Sequence, residues 1–391
     1  MAQYTYLLTD LVRGTVIGEL PLRSAPFGRQ LNAPGSMTAA LDLGDLAVQN
    51  LSPISITGPA RTGLWVDRDG VLVWGGVLWS RTYDSTTSTL TLSAAEFESY
   101  FARRRITSTY SPASIDELTI AQALINQAQA VTGGNIGVAV PTTTSGVTQT
   151  RVWNGYELKT FQQALKDLGQ VAGGFDWSFD PYYNAGVPAV QFVPSYPTRG
   201  TTNSVNGLVF ELGANMVGYS LVEDGSTLVT DEWATGSGSG AAQLQSHATN
   251  AALLGYGYPV LEDVVSDSSL TVQANVDGLA TATAAALSNP KSLLTLTVRA
   301  DIDPVLGSYS TGDQIRTRIT DPRFPEPALG GPGAEILSRI TAYTVTPPDV
   351  NAAEQVRITT DVTGAVPGVS FYVGVDSGYG SGDYGAGPYG G

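Results

Sequence analysis

The sequence contains no cysteine and a single histidine, His247. The first absence excludes disulfides, thiolate metal sites and cysteine nucleophiles. The second excludes a two-histidine metal centre and leaves any Ser/His/Asp triad resting on one residue. His247 lies beside the apolar stripe of an expected helix, four residues from Ala251, with no Asp nearby and no Gly-x-Ser-x-Gly elbow, so a structural role is expected. Positive charge is also scarce. Only three of the 20 basic residues are Lys (Lys159, Lys166 and Lys291), and 35 Asp and Glu bring the formal net charge to −15. An anionic surface of this kind disfavours gripping nucleic acid or an acidic membrane. No stretch approaches the ~20 apolar residues of a membrane span. The start, Met1-Ala2-Gln3-Tyr4-Thr5, lacks a basic region followed by an apolar core, which predicts a chain made and kept in soluble form. Charged residues are 14% of the chain, too few to surface many exposed helices, while 45 Gly and 22 Pro suit short strands and turns. The expectation is a mainly β protein of two or three domains over 391 residues.

Leu64 to Arg68 and Val71 to Trp74 flank Asp69-Gly70, a pair suited to the two positive φ values of a tight hairpin, with Trp65 facing Trp74 across the ladder. The run Asp67-Arg68-Asp69-Gly70 mimics part of a calcium loop, but Trp65 and Gly76 stand where its first and last carboxylates belong, so it reads as a turn. Thr89-Leu90-Thr91-Leu92 alternates like a half-buried strand. Ser93-Ala94-Ala95-Glu96 has the form of a capping box opening a helix that ends at Arg103-Arg104-Arg105. Those arginines suit either a partner-binding or phosphate patch or, as the simpler reading, the negative end of a helix dipole. Ser114-Ile115-Asp116-Glu117 is a second box, opening a helix with Leu118, Ala121, Leu124 or Ile125, and Ala128 on one face and Gly133-Gly134 after its end. A third helix carries Leu158, Phe161, Leu165 and Leu168 and stops at Gly173-Gly174. Strands are expected at Phe175 to Phe179 and Val187 to Val193, which makes residues 106–205 an α+β insertion after a β domain at 1–105.

The β pattern resumes over 206–235. Residues 236–289 then read as a linker (Gly236 to Gly240) and helical segments at Leu244, Ala248 and Ala251 and at Val276 to Leu287. A second β domain is expected over 290–362, with strands at Leu294 to Val298, Gln314 to Ile319, Arg339 to Thr346 and Glu354 to Thr360. Residues 363–391 form a Gly/Tyr-rich tail whose last stretch, from Gly378, cannot bury enough surface to fold alone.

Three carboxylate pairs are conceivable for acid/base chemistry of the glycosidase kind: Asp176 with Asp180, Glu96 with Glu98, and Asp301 with Asp303. Each has a structural explanation, such as the capping box at Glu96, the Asp303-Pro304 turn, and the strand whose other face carries Trp177 and Phe179. Trp65, Trp74, Trp79, Trp153, Trp177 and Trp233 are sugar platforms in principle, yet in a β-rich chain most belong in the core. No glycine-rich phosphate loop follows a strand and opens a helix. The residues therefore predict no enzyme, no catalytic set, no cofactor and no metal site.

The order of elements resembles the minor tail or tail-hub proteins of long-tailed phages, relatives of the baseplate hub of contractile-tailed phages. The resemblance is carried by Tyr4 to Leu11, Glu19-Leu20-Pro21-Leu22, Leu31 to Ser36, Trp65 to Gly70 with Trp74-Gly75-Gly76, and Tyr100 to Ile106. It continues through Ile120 to Ile125, Leu168 to Trp177, Tyr258 to Glu262 and Leu294 to Pro304, so it spans the chain up to about Thr363.

The resemblance implies two tube-like β-barrel domains per chain and a homotrimer at the tail tip, where three chains mimic a six-fold ring. Such a hub would adapt the tail tube to a three-fold tip and line or close the DNA-exit channel. Its implied partners are the distal tail protein or tail tube ring, the tape measure protein and other minor tail proteins, with genomic DNA passing through the lumen. The implied location is the virion tail tip, assembled in the host cytoplasm. An anionic lumen would keep exiting DNA from sticking. In the tail, Tyr379, Tyr384 and Tyr389 are the expected partner anchors, because Tyr offers large contact area at low entropy cost. A carbohydrate-binding adhesin and a carboxylate-dependent glycosidase are the alternatives.

Overall fold

The computed structural model describes residues 2–169, 174–202, 207–267, 270, 272–288, 291–327, 330–331, 333–349 and 352–362. The chain is mainly β and groups into two compact units. The first comprises Met1–Gly218, Leu296–Ile315 and Arg339–Thr360, and the second includes Tyr219–Thr295 and Arg316–Ser338.

A large sheet dominates the first unit. Ser36–Asp42 pairs with Thr89–Glu96, which is followed in the sheet by Val71–Asp84, Thr62–Arg68, Tyr4–Asp10 and the edge strand Val16–Glu19. On the other side Phe27–Gln30 pairs with the end of Ala334–Thr346, from Ala342 to Val345, beside which lies Gln355–Val362. Strands from the two ends of the sequence thus share one ladder. Half-buried Arg68 strengthens the junction by donating Nε and Nη2 to the two oxygens of Glu354 at 2.7 and 2.8 Å, with the Tyr4 hydroxyl donating to the same carboxylate.

The Asp69-Gly70 turn forms as expected, with φ of 55° and 86° and the Asp67 carboxylate accepting from Gly70 N at 2.8 Å. The cross-strand partner of Trp65 differs from expectation. A register shift after Val66 places Trp74 opposite Val66 and Gly75 opposite Trp65. The reason is steric: the Trp65 indole lies over Gly75, where a Cβ would come within 2.5 Å of Cε3, and packs against Phe97 at 4.7 Å between centroids. Its Nε1 donates to Thr9 Oγ1 at 2.9 Å.

The Ser93 box does not open a helix. The strand runs on through Glu96 with strict in-out alternation, burying Leu90, Leu92, Ala94 and Glu96, and the Glu96 carboxylate is taken by Arg29 and Gly35 N. Two-residue alternation, joined to pairing on both sides, outweighs a four-residue cap signal. Only the short helix Glu98–Phe101 follows.

The second box is shifted. Ser114 has φ of 54° and cannot take the extended cap conformation, so Asp116 caps the helix Glu117–Gln129 by accepting from Leu118 N and Thr119 N at 3.0 and 3.2 Å. The next helix, Phe161–Gly169, buries Phe161, Ala164, Leu165 and Leu168, whereas Leu158 sits outside it at φ 51° and is half exposed. Its true start signal is Thr160-Phe161-Gln162-Gln163. Thr160 Oγ1 accepts from Gln163 N at 3.1 Å, and Thr160 N donates back to Gln163 Oε1 at 3.2 Å. The two helices pack on the hairpin Asp176–Asn184 and Val187–Ser195, and one core joins Trp65, Phe97 and Phe101 to Leu124, Leu165, Trp177 and Phe192.

In the second unit, Asp231–Thr235 is the middle of a three-stranded sheet, antiparallel to Gln245–Thr249 and parallel to Glu262–Ser266. The Gly236 to Gly240 run is the loop joining the first two of these strands. The helix expected at Leu244, Ala248 and Ala251 is therefore a strand, followed by a short helix Ala251–Gly255 capped by Asn250. A spacing of four is a multiple of the strand period as well as one helical turn, so Leu244 and Ala248 share a face either way. The helix Gln273–Ala286 forms where expected and lays Val276 and Ala280 on Ala234.

Two substitutions test these packing assignments by chemical denaturation. Gly75→Ala forces a methyl into the Trp65 ring and is expected to destabilise by about 1–3 kcal/mol. Thr160→Ala removes a cap and is expected to lose about 1 kcal/mol.

Candidate functional sites

Two of the three carboxylate pairs nominated from the sequence are drawn into buried polar contacts of the first unit. Arg29 on Phe27–Gln30 donates Nε to Glu96 at 3.0 Å and Nη2 to Asp180 at 2.7 Å and to the Phe179 carbonyl at 3.0 Å. Arg199 donates Nη2 to the other oxygen of Asp180 and its backbone N to Asp176, each at 2.8 Å. Arg339 completes the chain by donating Nη2 to Asp176 and, at 2.8 Å, to the Arg199 carbonyl, while its Nε reaches the Gly312 carbonyl at 2.9 Å. Asn32 adds Nδ2 to Asp176 at 2.6 Å and accepts from Trp177 N at 2.8 Å. Three arginines thus alternate with three carboxylates, Glu96, Asp180 and Asp176.

Glu98 points elsewhere, held by Gln162 at 3.0 Å and by Trp177 Nε1 at 3.2 Å. Asp301 is exposed and paired with its neighbour Arg299 at 3.1 Å, and the Asp303 carbonyl accepts from Asn215. The arrangement is one of mutual neutralisation: the arginines occupy the carboxylates that a glycosidase would present to a sugar.

Burial pushes the Glu96 carboxyl up to about 7, against the opposing pull of Arg29 and the Gly35 N–H. Burial likewise raises Glu98, against Gln162 and Trp177. Burial also acts upward on Asp180, but Arg29 and Arg199 outweigh it and hold that carboxyl below the usual aspartate range.

His247 differs from expectation in having an Asp at hand. It lies on Gln245–Thr249, exposed, with Nδ1 3.2 Å from Asp231 Oδ1, an atom that also accepts from Thr249 Oγ1 at 2.7 Å. The imidazole stacks on Trp233 at 4.7 Å between centroids. Sequence distance hid this pair, because Asp231 and His247 meet only through the strand pairing.

Among the six tryptophans, Trp65, Trp74, Trp153 and Trp177 are buried, and Trp79 is half-buried with Nε1 on Ser99 at 2.8 Å. Trp233 is half-buried on an open sheet face.

Arg103, Arg104 and Arg105 line an open recess of about 500 Å³ with Gln127, Ala130 and Val131. Arg104 does meet a helix C-terminus, though of another helix: its Nε donates to the Ala128 carbonyl near the end of Glu117–Gln129 at 3.1 Å. Arg105 reaches the Leu158 carbonyl at 2.8 Å. At the sheet edge, Val16 and Ile17 are exposed, and the adjoining helices Leu46–Asn50 and Pro53–Ile56 expose Leu46 and Ile54. The tail anchors Tyr379, Tyr384 and Tyr389 lie outside the described residues.

No protein-family model and no curated protein matches the sequence. Solved structures do match the fold. The 43 kDa tail protein of prophage MuSo2 from Shewanella oneidensis aligns with a TM-score of 0.59 at 12% identity, over 92% of this chain and 98% of that one. A tail protein from Neisseria meningitidis MC58 aligns at 0.56 and 12% identity, over 91% and 96%. Prophage tail protein gp18 from Listeria monocytogenes aligns at 0.52 and 14% identity, over 92% and 95%. The chain has the fold of these phage tail proteins.

The opposed shifts set a pH profile. Glu96 and Glu98, with raised folded values, contribute stability that is complete below the ordinary carboxylate range and lost as pH rises, through about 7 for Glu96. Asp180, with a lowered value, contributes stability present above the ordinary aspartate range and lost below it. The unfolding temperature is expected to climb from pH 8 to about 5 and to fall below about 4. Scanning calorimetry checks this, with Glu96→Gln flattening the upper limb. Arg29→Met, which leaves buried Glu96 without its cation and half-buried Asp180 with Arg199 alone, is expected to lose about 3–5 kcal/mol at pH 7 by denaturant titration.

Proposed function

We propose that the chain is a structural hub protein of the tail tip of a long-tailed phage, acting as a homotrimer that joins the six-fold tail tube to a three-fold tip and lines or closes the DNA-exit channel. The observation that carries this reading is the span of the fold match, which covers nearly the whole of this chain and nearly the whole of each tail protein. A shared local motif would not give that span. The two tube-like β domains at 1–105 and 290–362 are part of the same proposal, as are the partners: the distal tail protein or tube ring, the tape measure protein and other tip proteins. The tail from Gly378 would hold a neighbour through Tyr379, Tyr384 and Tyr389.

Charge fits the task. Three chains carry 3 × −15 = −45 formal charges, and an anionic lumen lets DNA slide without adhering. The strand Val16–Glu19, whose outer edge pairs with no strand among the described residues and which has exposed apolar residues beside it, offers a place for copies to meet.

Light scattering across a concentration series, with negative-stain images of the same sample, tests the reading. The expected outcome is a species of three chains appearing as an open three-fold ring, weakened by Ile17→Lys together with Leu46→Lys. Rings of another order, or a lumen lined by arginine, would overturn it.

A further inference from the structure

Between Arg199 and Lys291 the sequence has no Lys or Arg and nine Asp or Glu. Inside that stretch, the three-stranded sheet of the second unit has two unlike faces. The inner face lies under the helix Gln273–Ala286, with Ala234 against Val276 and Ala280. The outer face is open and orderly. Strand register sets His247, Trp233 and Val264 in one row and Thr249, Asp231 and Glu262 in the next.

Val264 is 59% exposed, and Trp233 remains partly accessible beside the stacked His247. Glu262 accepts from the Trp233 indole N–H at 3.2 Å, and the Asp231 carboxylate lies against Thr249 and His247. Glu262 therefore holds the indole edge, and Asp231 stands beside Glu262 in the neighbouring row of a surface that water reaches.

We propose that this outer face is a docking surface for an arginine-bearing protein segment. A guanidinium is planar, so it can stack on an indole while donating in-plane to carboxylates, and it is more weakly hydrated than an ammonium. Asp231 and Glu262 stand side by side in the row next to Trp233, and each carboxylate can accept more than the bonds it already makes. No Lys or Arg near in sequence competes for the site, and the group already on it is His247, stacked on Trp233 and bonded to Asp231. The same charge repels nucleic acid, and the carboxylates and Val264 leave little for a neutral sugar to stack on. The proposal is independent of the trimeric hub, because a monomer presents the same face.

Fluorescence anisotropy on the full chain tests it, using a labelled peptide of four Gly-Arg repeats, its Gly-Lys and Gly-Glu counterparts, and a labelled DNA duplex. The Gly-Arg peptide is expected to bind saturably and more tightly than Gly-Lys, with Gly-Glu and DNA not binding. Asp231→Asn and Glu262→Gln should each weaken binding about threefold and Trp233→Ala about tenfold. Trp233→Phe, which keeps an aromatic ring, should retain most of the affinity and guards against loss of folding. Asp277→Asn, on the helix covering the other face, should change nothing. Equal affinity for the Lys and Arg peptides, an Asp277→Asn loss matching that of Asp231→Asn, or no saturable binding would each overturn the proposal.

Discussion

A buried alternation of charge is the constraint on which the first unit depends. Arg29 comes from the N-terminal strands, Asp176 and Asp180 from the hairpin after the helices, Arg199 from the segment that follows it, and Arg339 from the C-terminal strands. Taking any one of these groups out of water without its partners would cost several kcal/mol. Each segment therefore satisfies its charge only when the others are in place. A hydrophobic core would tolerate small slips, whereas donors and acceptors at 2.6 to 3.0 Å do not. The lattice makes the arrangement of distant segments specific, while the apolar core around Trp177 and Phe192 supplies most of the driving force.

The same contacts explain why these carboxylates resemble catalytic pairs in the sequence. Paired acids near aromatic residues look alike in sequence whether they serve a substrate or an internal arginine. The distinction lies in partners more than a hundred residues away, such as Arg29 for Asp180 and Arg339 for Asp176, and short-range patterns carry no trace of them.

Much of the fold was legible because most strands alternate cleanly. Gln314–Ile319 and the Asp69-Gly70 turn follow from local chemistry alone. Legibility failed where one spacing served two periods, as at Leu244 and Ala248, and where a cap signal lay inside a strand, as at Ser93 to Glu96. It also failed at Trp65, whose partner was chosen by a bulge and by the missing side chain of Gly75. The Thr160-Gln163 box is present in the sequence, but the apolar stripe running back to Leu158 masks it. The acidic sheet face was legible only in part. Its lack of cations can be counted, but its flat array of Trp233, His247 and Val264 exists only after two strands have paired with a third.

The division of the chain into units has a consequence for biosynthesis. The first unit is closed by Leu296–Ile315 and Arg339–Thr360, after the chain has left it to build most of the second. A ribosome therefore releases the N-terminal strands long before the strands that pair with them exist. Until residue 345 has emerged, the outer rim of Phe27–Gln30 has no neighbour, and Arg29 lacks part of the lattice it anchors. Contacts closed over such long sequence separations form late and slowly. The nascent protein must remain soluble meanwhile, and a high excess of negative charge keeps unfinished chains apart.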